Sequence, residues 1–249
     1  MRRLPAIDGL RGLLACVVLA YHARAANMAL FYGSKLAVLM FFAISGYVLT
    51  RSWDGRFGRF LIGRFVRLWP VYAVCLGAGF ALSGSPVVWT QFFWFPLIGA
   101  DDPIQIDPPA WSLCIEAFAM LAMPVIVWFA GGTRARMYFG LIACIGGALL
   151  DARLLVGGYF LAGAWLSRFA WRCRALEWWL PQFLGRISYP LYLSHWLVLR
   201  YAPGGPWLTV PLAFAVGWLL TGTIEAWSIH ASRLARSARL PVLGYRGNA

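Results

Sequence analysis

Long apolar segments recur along the chain, and they constrain its fold more than any other feature. A helix that crosses the hydrocarbon core of a bilayer needs about 20 mostly apolar residues. Hydrophobic residues make up 61% of the 249 residues and charged residues only 12%, which excludes an ordinary soluble domain and a disordered chain. We therefore predict an all-α, polytopic transmembrane bundle. About eight segments are predicted to span the membrane: Leu10–Leu30, Leu36–Arg51, Leu68–Leu82, Ala110–Ala130, Met137–Leu150, Leu154–Trp171, Ile187–Ala202 and Trp207–His230.

The basic residues predict the orientation of this bundle. The formal net charge is +13, and with a cytoplasmic N-terminus 18 of the 22 lysines and arginines fall at cytoplasmic helix ends. This distribution follows the positive-inside rule. Because the basic residues lie in short loops between apolar segments, they indicate membrane topology and not nucleic-acid binding. Both termini are predicted to be cytoplasmic, and residues 1–249 are predicted to form a single membrane domain.

Other patterns indicate little chemistry. The five cysteines form no CxxC pair, so we interpret them as packing residues and predict no metal site. The N-terminus resembles a signal peptide only loosely, because Asp8 and Arg11 interrupt the approach to the apolar run; we expect it to be retained. The short apolar stretch Pro86–Gly99 is predicted to be re-entrant or interfacial, and Arg51–Arg67 to form an amphipathic helix at the headgroups.

The first predicted helix carries three polar residues. Arg11 and His22 are eleven residues apart, a spacing that places them on one face of a helix, about 16 Å apart along its axis. Asp8 lies one turn before Arg11. A histidine can exchange a proton near neutral pH, so His22 is a candidate catalytic residue. The alternative is a histidine that packs and hydrogen-bonds without a chemical role.

Two further stretches suggest contacts with a ligand at the inner side. Arg64 and Arg67 share a helix face and could bind a phosphate through bidentate hydrogen bonds; the alternative is ordinary positive-inside topology or contact with lipid headgroups. Ser45 is followed by Gly46, so this serine either lines a pocket or belongs to a close helix contact.

Two predicted helices carry polar stripes. Ser112 and Glu116 lie at i, i+4, and Glu116 is the acidic residue of its span. It is either catalytic or the salt-bridge partner of an arginine on another helix. Ser188, Tyr192 and His195 lie at i, i+4, i+7. Their stripe suits a polar cavity, or equally hydrogen bonds between helices.

Taken together, these stretches resemble the acyltransferase-3 family of bacterial membrane acyltransferases, which includes O-acetylases of O-antigen and other surface sugars. The resemblance covers residues 7 to 195, with the motifs in family order on the expected membrane segments. The matching stretches are Ile7-Asp8-Gly9-Leu10-Arg11-Gly12, the pair Arg11 and His22, Phe41-Phe42-Ala43-Ile44-Ser45-Gly46-Tyr47, Arg64-Phe65-Val66-Arg67-Leu68-Trp69-Pro70-Val71-Tyr72, Trp111-Ser112-Leu113 with Glu116, and Leu184-Gly185-Arg186-Ile187-Ser188-Tyr189-Pro190-Leu191-Tyr192-Leu193 with His195.

The resemblance implies an enzyme of the bacterial cytoplasmic membrane that transfers an acyl group from cytoplasmic acyl-CoA to a hydroxyl. The expected donor is acetyl-CoA, bound as a substrate, with no permanently bound cofactor. The expected acceptor is a cell-surface carbohydrate or glycolipid. His22 and Glu116 would be catalytic, and Arg11, Arg64 and Arg67 would bind the donor. The other motif residues would line the substrate pocket: Asp8, Ser45, Tyr72, Trp111, Ser112, Ser188, Tyr192 and His195.

The chain departs from the family pattern in two places. A helix pair between the fourth and seventh spans is missing, and Ala117-Phe118-Ala119-Met120 replaces the acidic and aromatic residues that usually follow Glu116. His22 could act as a general base oriented by Glu116, or carry the acyl group itself. The rival function is a transporter or flippase, since intramembrane ionisable residues also mark transport pathways; a structural membrane subunit would leave the motifs unexplained. No pattern predicts an oligomeric state.

Overall fold

The computed structural model describes residues 4–23, 28–87, 89–93, 106–147, 149 and 153–237, and every regular element in these ranges is helical. Short 3-10 helices cover Trp89–Phe93, Pro108–Ala110 and Arg174–Glu177, and a π-turn covers Thr221–Glu225. The α-helices are α1 (Pro5–His22), α2 (Met28–Ser52), α3 (Phe57–Ser83), α4 (Trp111–Leu121), α5 (Met123–Gly131), α6 (Arg134–Gly147), α7 (Arg153–Leu166), α8 (Trp179–Tyr201), α9 (Pro206–Leu220) and α10 (Ala226–Ser237). The predicted all-α class is therefore confirmed over these residues.

Three helical segments of the described chain are long and apolar enough to cross a membrane by themselves: Phe31–Ser52, Phe57–Ser83 and Pro206–Arg236. A fourth is possible if α4 and α5, which are bent by 68° at their junction, form one broken span. The helices α6 and α7 have 14 residues each and are about 21 Å long, shorter than the hydrocarbon core of about 30 Å. The arrangement of eight spans with cytoplasmic termini stays a prediction.

Helix α3 begins earlier than the sequence predicted. It runs without interruption from Phe57 to Ser83. Residues 57–67 of the predicted amphipathic stretch are therefore helical and continuous with the predicted third span, whereas Arg51 and Ser52 end α2. Pro70 lies inside the helix, and the carbonyls of Arg67 and Leu68 just before it accept hydrogen bonds from the hydroxyls of Ser228 and Tyr189. Neighbouring helices therefore satisfy backbone groups near the proline, which allows a helix in lipid to keep it.

Helices α1 and α8 run parallel and in close contact because glycines face each other. A Cβ atom on Gly12 would lie 2.4 Å from the backbone nitrogen of Gly185, and one on Gly185 would lie 2.2 Å from the carbonyl oxygen of Asp8. Only glycine allows two backbones to approach this closely. His22 and His195 each lie ten residues after these glycines, so this contact sets the register in which the two histidines meet.

A similar contact joins α2 to α7. A Cβ atom on Gly46 would lie 2.1 Å from the carbonyl oxygen of Phe160, which confirms the close helix contact predicted for the Ser45-Gly46 stretch. Parts of other predictions lie outside the described residues. These parts are residues 24–27 of the Leu10–Leu30 span, half of Pro86–Gly99, the acidic Asp101 and Asp102, and the basic Arg2, Arg3, Arg24, Arg239 and Arg246.

Candidate active site

His22 and His195 form a hydrogen-bonded pair at the contact between α1 and α8. The Nδ1 atom of His22 lies 3.0 Å from Nε2 of His195. His22 is half-buried and also meets the ring of Trp196 edge-on, with the ring centroids 5.4 Å apart. His195 is only 1% exposed. The pair thus has an outer member that a substrate can approach and an inner member fixed in the core.

The hydrogen bonds of His195 determine which nitrogen carries each proton. Its Nδ1 atom lies 2.7 Å from the carbonyl oxygen of Tyr192 and 3.2 Å from that of Leu191. A carbonyl only accepts, so Nδ1 of His195 is the donor and, in the neutral ring, Nε2 is an acceptor. His22 must then donate through Nδ1. In this neutral tautomer Nε2 of His22 carries the lone pair, the state required of a base or a nucleophile. The His22 ring also has a hydrogen bond with the backbone of Val18.

A cavity of about 90 Å³ lies farther toward the beginning of α1 and α8. Eight of the thirteen predicted site residues line it: Arg11, Ser45, Arg64, Arg67, Ser112, Glu116, Ser188 and Tyr192. Three guanidinium groups and one carboxylate therefore face a space that fits a small group, and not a whole coenzyme. The predicted donor-side arginines and the predicted polar stripes meet in this cavity.

The structure corrects the role predicted for Glu116. Its Oε1 atom pairs with Nη2 of Arg64 at 3.1 Å, so Glu116 does not orient His22, whose ring partner is His195. The salt-bridge alternative considered for Glu116 is the one that the structure shows. Arg64 is almost fully buried and committed to this pair. Arg11 and Arg67 make no hydrogen bond or ion pair within the described chain, so their charges are free to meet an anion.

Two hydroxyl groups connect the cavity to the histidine pair. Ser112 Oγ and the Tyr192 hydroxyl are 3.0 Å apart, and the ring of Tyr192 lies next to that of His195, with centroids 5.9 Å apart. Tyr192 also supplies the carbonyl that fixes His195. A shift of Tyr192 would therefore affect both the cavity wall and the orientation of the histidine pair.

Three predicted pocket residues lie elsewhere. The hydroxyl of Tyr72 donates to the carbonyl of Gln91 at 2.5 Å, which fastens the Trp89–Phe93 helix to α3. Trp111 packs edge-on against Phe42. Asp8 lies in the first turn of α1, beside Gly185. None of the three lines the cavity, so their contacts indicate packing and anchoring.

Sequence reasoning missed two features of the site. It placed His195 in the pocket but not as the partner of His22; the equal spacing of the two histidines from Gly12 and Gly185 could have indicated the pair. It also gave no role to Glu225, which is 6% exposed and sits on the π-turn. The sequence around Glu225 carries no signal for a π-turn that we recognise.

Comparisons with known proteins identify the family of the chain. The family model described as an acyltransferase domain, that of the acyltransferase-3 family, matches residues 4–181. "Protein 2 in picA locus" of Rhizobium radiobacter is 37% identical over 82 residues, which are 28% of this chain and 40% of that protein. The aligned part of the chain thus spans well under half the length of this relative, and no solved structure matches. The apolar helices make the chain a membrane protein. It belongs to the acyltransferase-3 family of membrane acyltransferases.

Proposed function

We propose that the protein is an O-acyltransferase of the bacterial cytoplasmic membrane. It takes an acyl group, with acetyl as the expected group, from cytoplasmic acyl-CoA and transfers it to a hydroxyl of a cell-surface carbohydrate or glycolipid. The observation that carries the proposal is the hydrogen bond between His22 and His195, which places the lone pair of neutral His22 on Nε2, beside a cavity lined by arginines. Residues 1–249 act as one membrane domain.

The donor binds through Arg11 and Arg67. CoA carries several phosphate groups, and guanidinium groups bind phosphate through strong, charge-assisted hydrogen bonds. Arg11 and Arg67 line the cavity, and within the described residues neither makes a hydrogen bond that would compete with a phosphate. Because the cavity holds only a small group, the nucleotide stays at the cytoplasmic face and the thioester arm reaches inward. Arg64, held by Glu116, supports the cavity wall and its positive potential.

The orientation of the bundle fits this route. With eight spans and cytoplasmic termini, Arg11 lies near the inner surface and His22 lies about 16 Å farther out on the same helix face. Helix α8 runs parallel to α1, so Ser188, Tyr192 and His195 follow the same inner-to-outer order. The stripe leads from the phosphate-binding end of the cavity to the histidine pair, where an acceptor from the outer side meets the acyl group.

In direct transfer His22 is a general base. Its Nε2 takes the proton of the acceptor hydroxyl as the oxygen attacks the thioester carbonyl, a contribution of about 10²–10⁴ in rate. The carbon–sulfur bond then breaks, and the departing thiolate receives the proton from His22. The products are the ester and CoA, with no net proton change.

A covalent relay uses the same atoms. Nε2 of His22 attacks the thioester and the thiolate leaves, giving an acyl-histidine that the acceptor hydroxyl then attacks. The free lone pair on Nε2 suits both routes. A single-turnover experiment with radiolabelled acetyl-CoA and no acceptor separates them, because only the relay places label on the protein. Unlabelled protein at all times would exclude the relay.

The proposal is tested with purified protein in lipid vesicles, radiolabelled acetyl-CoA and a lipid and glycan extract from the source cell. Wild type is expected to transfer label to a lipid or glycan, and His22→Ala to lose transfer. His230→Ala is the matched control, because His230 is an exposed histidine on α10 and its variant should keep wild-type activity. Absence of turnover of acetyl-CoA and of longer acyl-CoAs by folded wild-type protein would refute the proposal.

A further inference from the structure

Glu225 is a buried acid for which the proposed chemistry has no use. It lies at the end of the π-turn Thr221–Glu225, within the long Pro206–Arg236 helical segment. Its side chain is hydrogen-bonded to Thr221, while its Oε2 atom is buried without a hydrogen-bond partner among the described residues. A buried carboxylate oxygen without a hydrogen bond is costly and calls for a compensating charge. π-turns of this kind occur frequently at functional sites.

The π-turn is fastened directly to the arginine segment of α3. The hydroxyl of Ser228 lies 2.8 Å from the carbonyl oxygen of Glu225 and 3.0 Å from that of Arg67. One turn further, the hydroxyl of Ser232 donates to the carbonyl of Gly63 at 2.6 Å. Two serines of α10 thus hold Glu225 beside the backbone of Arg67. The register between α3 and α10 therefore keeps this acid near Arg67, whose side chain lines the cavity.

The charges near Glu225 are those of the donor site. Its carboxylate interacts electrostatically with Arg67 and with Arg11, the two arginines that make no hydrogen bond or ion pair in the described chain. These two guanidinium groups also repel each other. Glu116 offsets the charge of Arg64 through a direct ion pair. Glu225 offsets the charges of Arg11 and Arg67. It makes no direct hydrogen bond to them that would occupy their guanidinium groups.

We infer that Glu225 is the counter-charge of the donor site: it balances Arg11 and Arg67 in the anion-free protein and thereby limits how tightly the site binds a phosphate-bearing donor. The inference rests on the proposed function for the identity of the donor. Because binding partners are coupled reciprocally, an acid that stabilises the empty site must weaken anion binding. Glu225 therefore acts as a positioning residue for the two arginines, and it takes no part in bond breaking.

Isothermal titration calorimetry tests the counter-charge role of Glu225. CoA, and separately inorganic pyrophosphate, is titrated into detergent-purified protein. Glu225→Gln is expected to bind both anions at least about fivefold more tightly than wild type, and Glu225→Asp, which keeps the charge, to bind like wild type. Glu177→Gln is the matched control, because Glu177 is exposed. The melting temperature of Glu225→Gln is expected to lie below that of wild type without anion and to recover with pyrophosphate.

Each outcome is decisive. Equal or weaker binding of both anions by Glu225→Gln would overturn the inference and leave the proposed donor intact. Tighter binding of pyrophosphate with no binding of CoA by any variant would support the counter-charge and refute the proposed donor. If Glu225→Gln is too unstable to purify without anion, it is prepared in pyrophosphate; failure of pyrophosphate to raise its melting temperature overturns the inference.

Discussion

Replacing Gly185 by alanine should separate the two histidines without touching either one. The new Cβ atom would lie 2.2 Å from the carbonyl oxygen of Asp8, whereas carbon and oxygen atoms in contact are about 3.3 Å or more apart. Helices α1 and α8 must therefore move apart by about 1 Å. The same movement lengthens the 3.0 Å bond between His22 and His195 to about 4 Å, beyond hydrogen-bonding range.

The expected effect is a loss of about 10² in kcat for acyl transfer, because a misplacement of about 1 Å costs this much in a catalytic site. Overpacking also lowers stability, by about 1–3 kcal/mol, so the melting temperature should fall. The kinetic loss is expected at a temperature where the variant is fully folded.

Gly77→Ala is the matched control. Gly77 lies inside α3, and a Cβ atom there would meet nothing within 4 Å. This variant should keep wild-type kcat and gain up to about 1 kcal/mol of helix stability. If Gly185→Ala retains a kcat within about a factor of two of wild type, the glycine contact does not set the geometry of the histidine pair, and the reasoning from register fails.

Three further outcomes are expected. Arg67→Ala should raise the KM for the donor about tenfold, the effect of losing a charge-assisted contact of about 1.4 kcal/mol, and change kcat less; Arg233→Ala, an exposed arginine on α10, should change neither. Glu116→Gln should lower the free energy of unfolding by about 3 kcal/mol, because buried Arg64 loses its partner; unchanged thermal stability together with lost activity would instead indicate a chemical role. Burial raises the pKa of Asp107, and neither carboxyl oxygen has a hydrogen-bond partner within the described chain. The native state therefore holds this proton more tightly than the unfolded state does, and stability should fall as the pH rises above the unfolded pKa of about 4. Asp107→Asn should melt at a higher temperature near pH 7, and parallel melting curves for the two proteins from pH 4 to 8 would contradict this.

The sequence predicted the faces of single helices well. The spacing of Arg11 and His22 places both on one side of α1, and Ser188, Tyr192 and His195 share the α8 stripe that faces the site. Such predictions succeed because the period of one helix depends only on backbone geometry. The lengths of α3 and α7 were predicted less well, since hydropathy measures apolar composition and not where a helix begins or ends.

The sequence did not predict which side chains of different helices contact each other. The i, i+4 spacing of Ser112 and Glu116 fixes their common face but does not say which arginine Glu116 meets. Three arginines face the cavity, and Arg64 receives the carboxylate only because α3 and α4 place them 3.1 Å apart. An ion pair depends on the separation of two helices to within about 1 Å, and one sequence holds no information at that scale unless small residues mark the contact.

At the histidine pair, small residues do mark the contact between two helices. The family match covers residues 4–181 and includes His22, the donor-side arginines and Glu116, whereas His195 and Glu225 lie after it. Gly12 lies within the match and Gly185 just outside it, and their contact brings the two regions into register. The proposed role of His22 as a base needs a defined tautomer, which depends on the Tyr192 carbonyl acting through His195. The segment that follows the family match therefore fixes the tautomer of the histidine inside it.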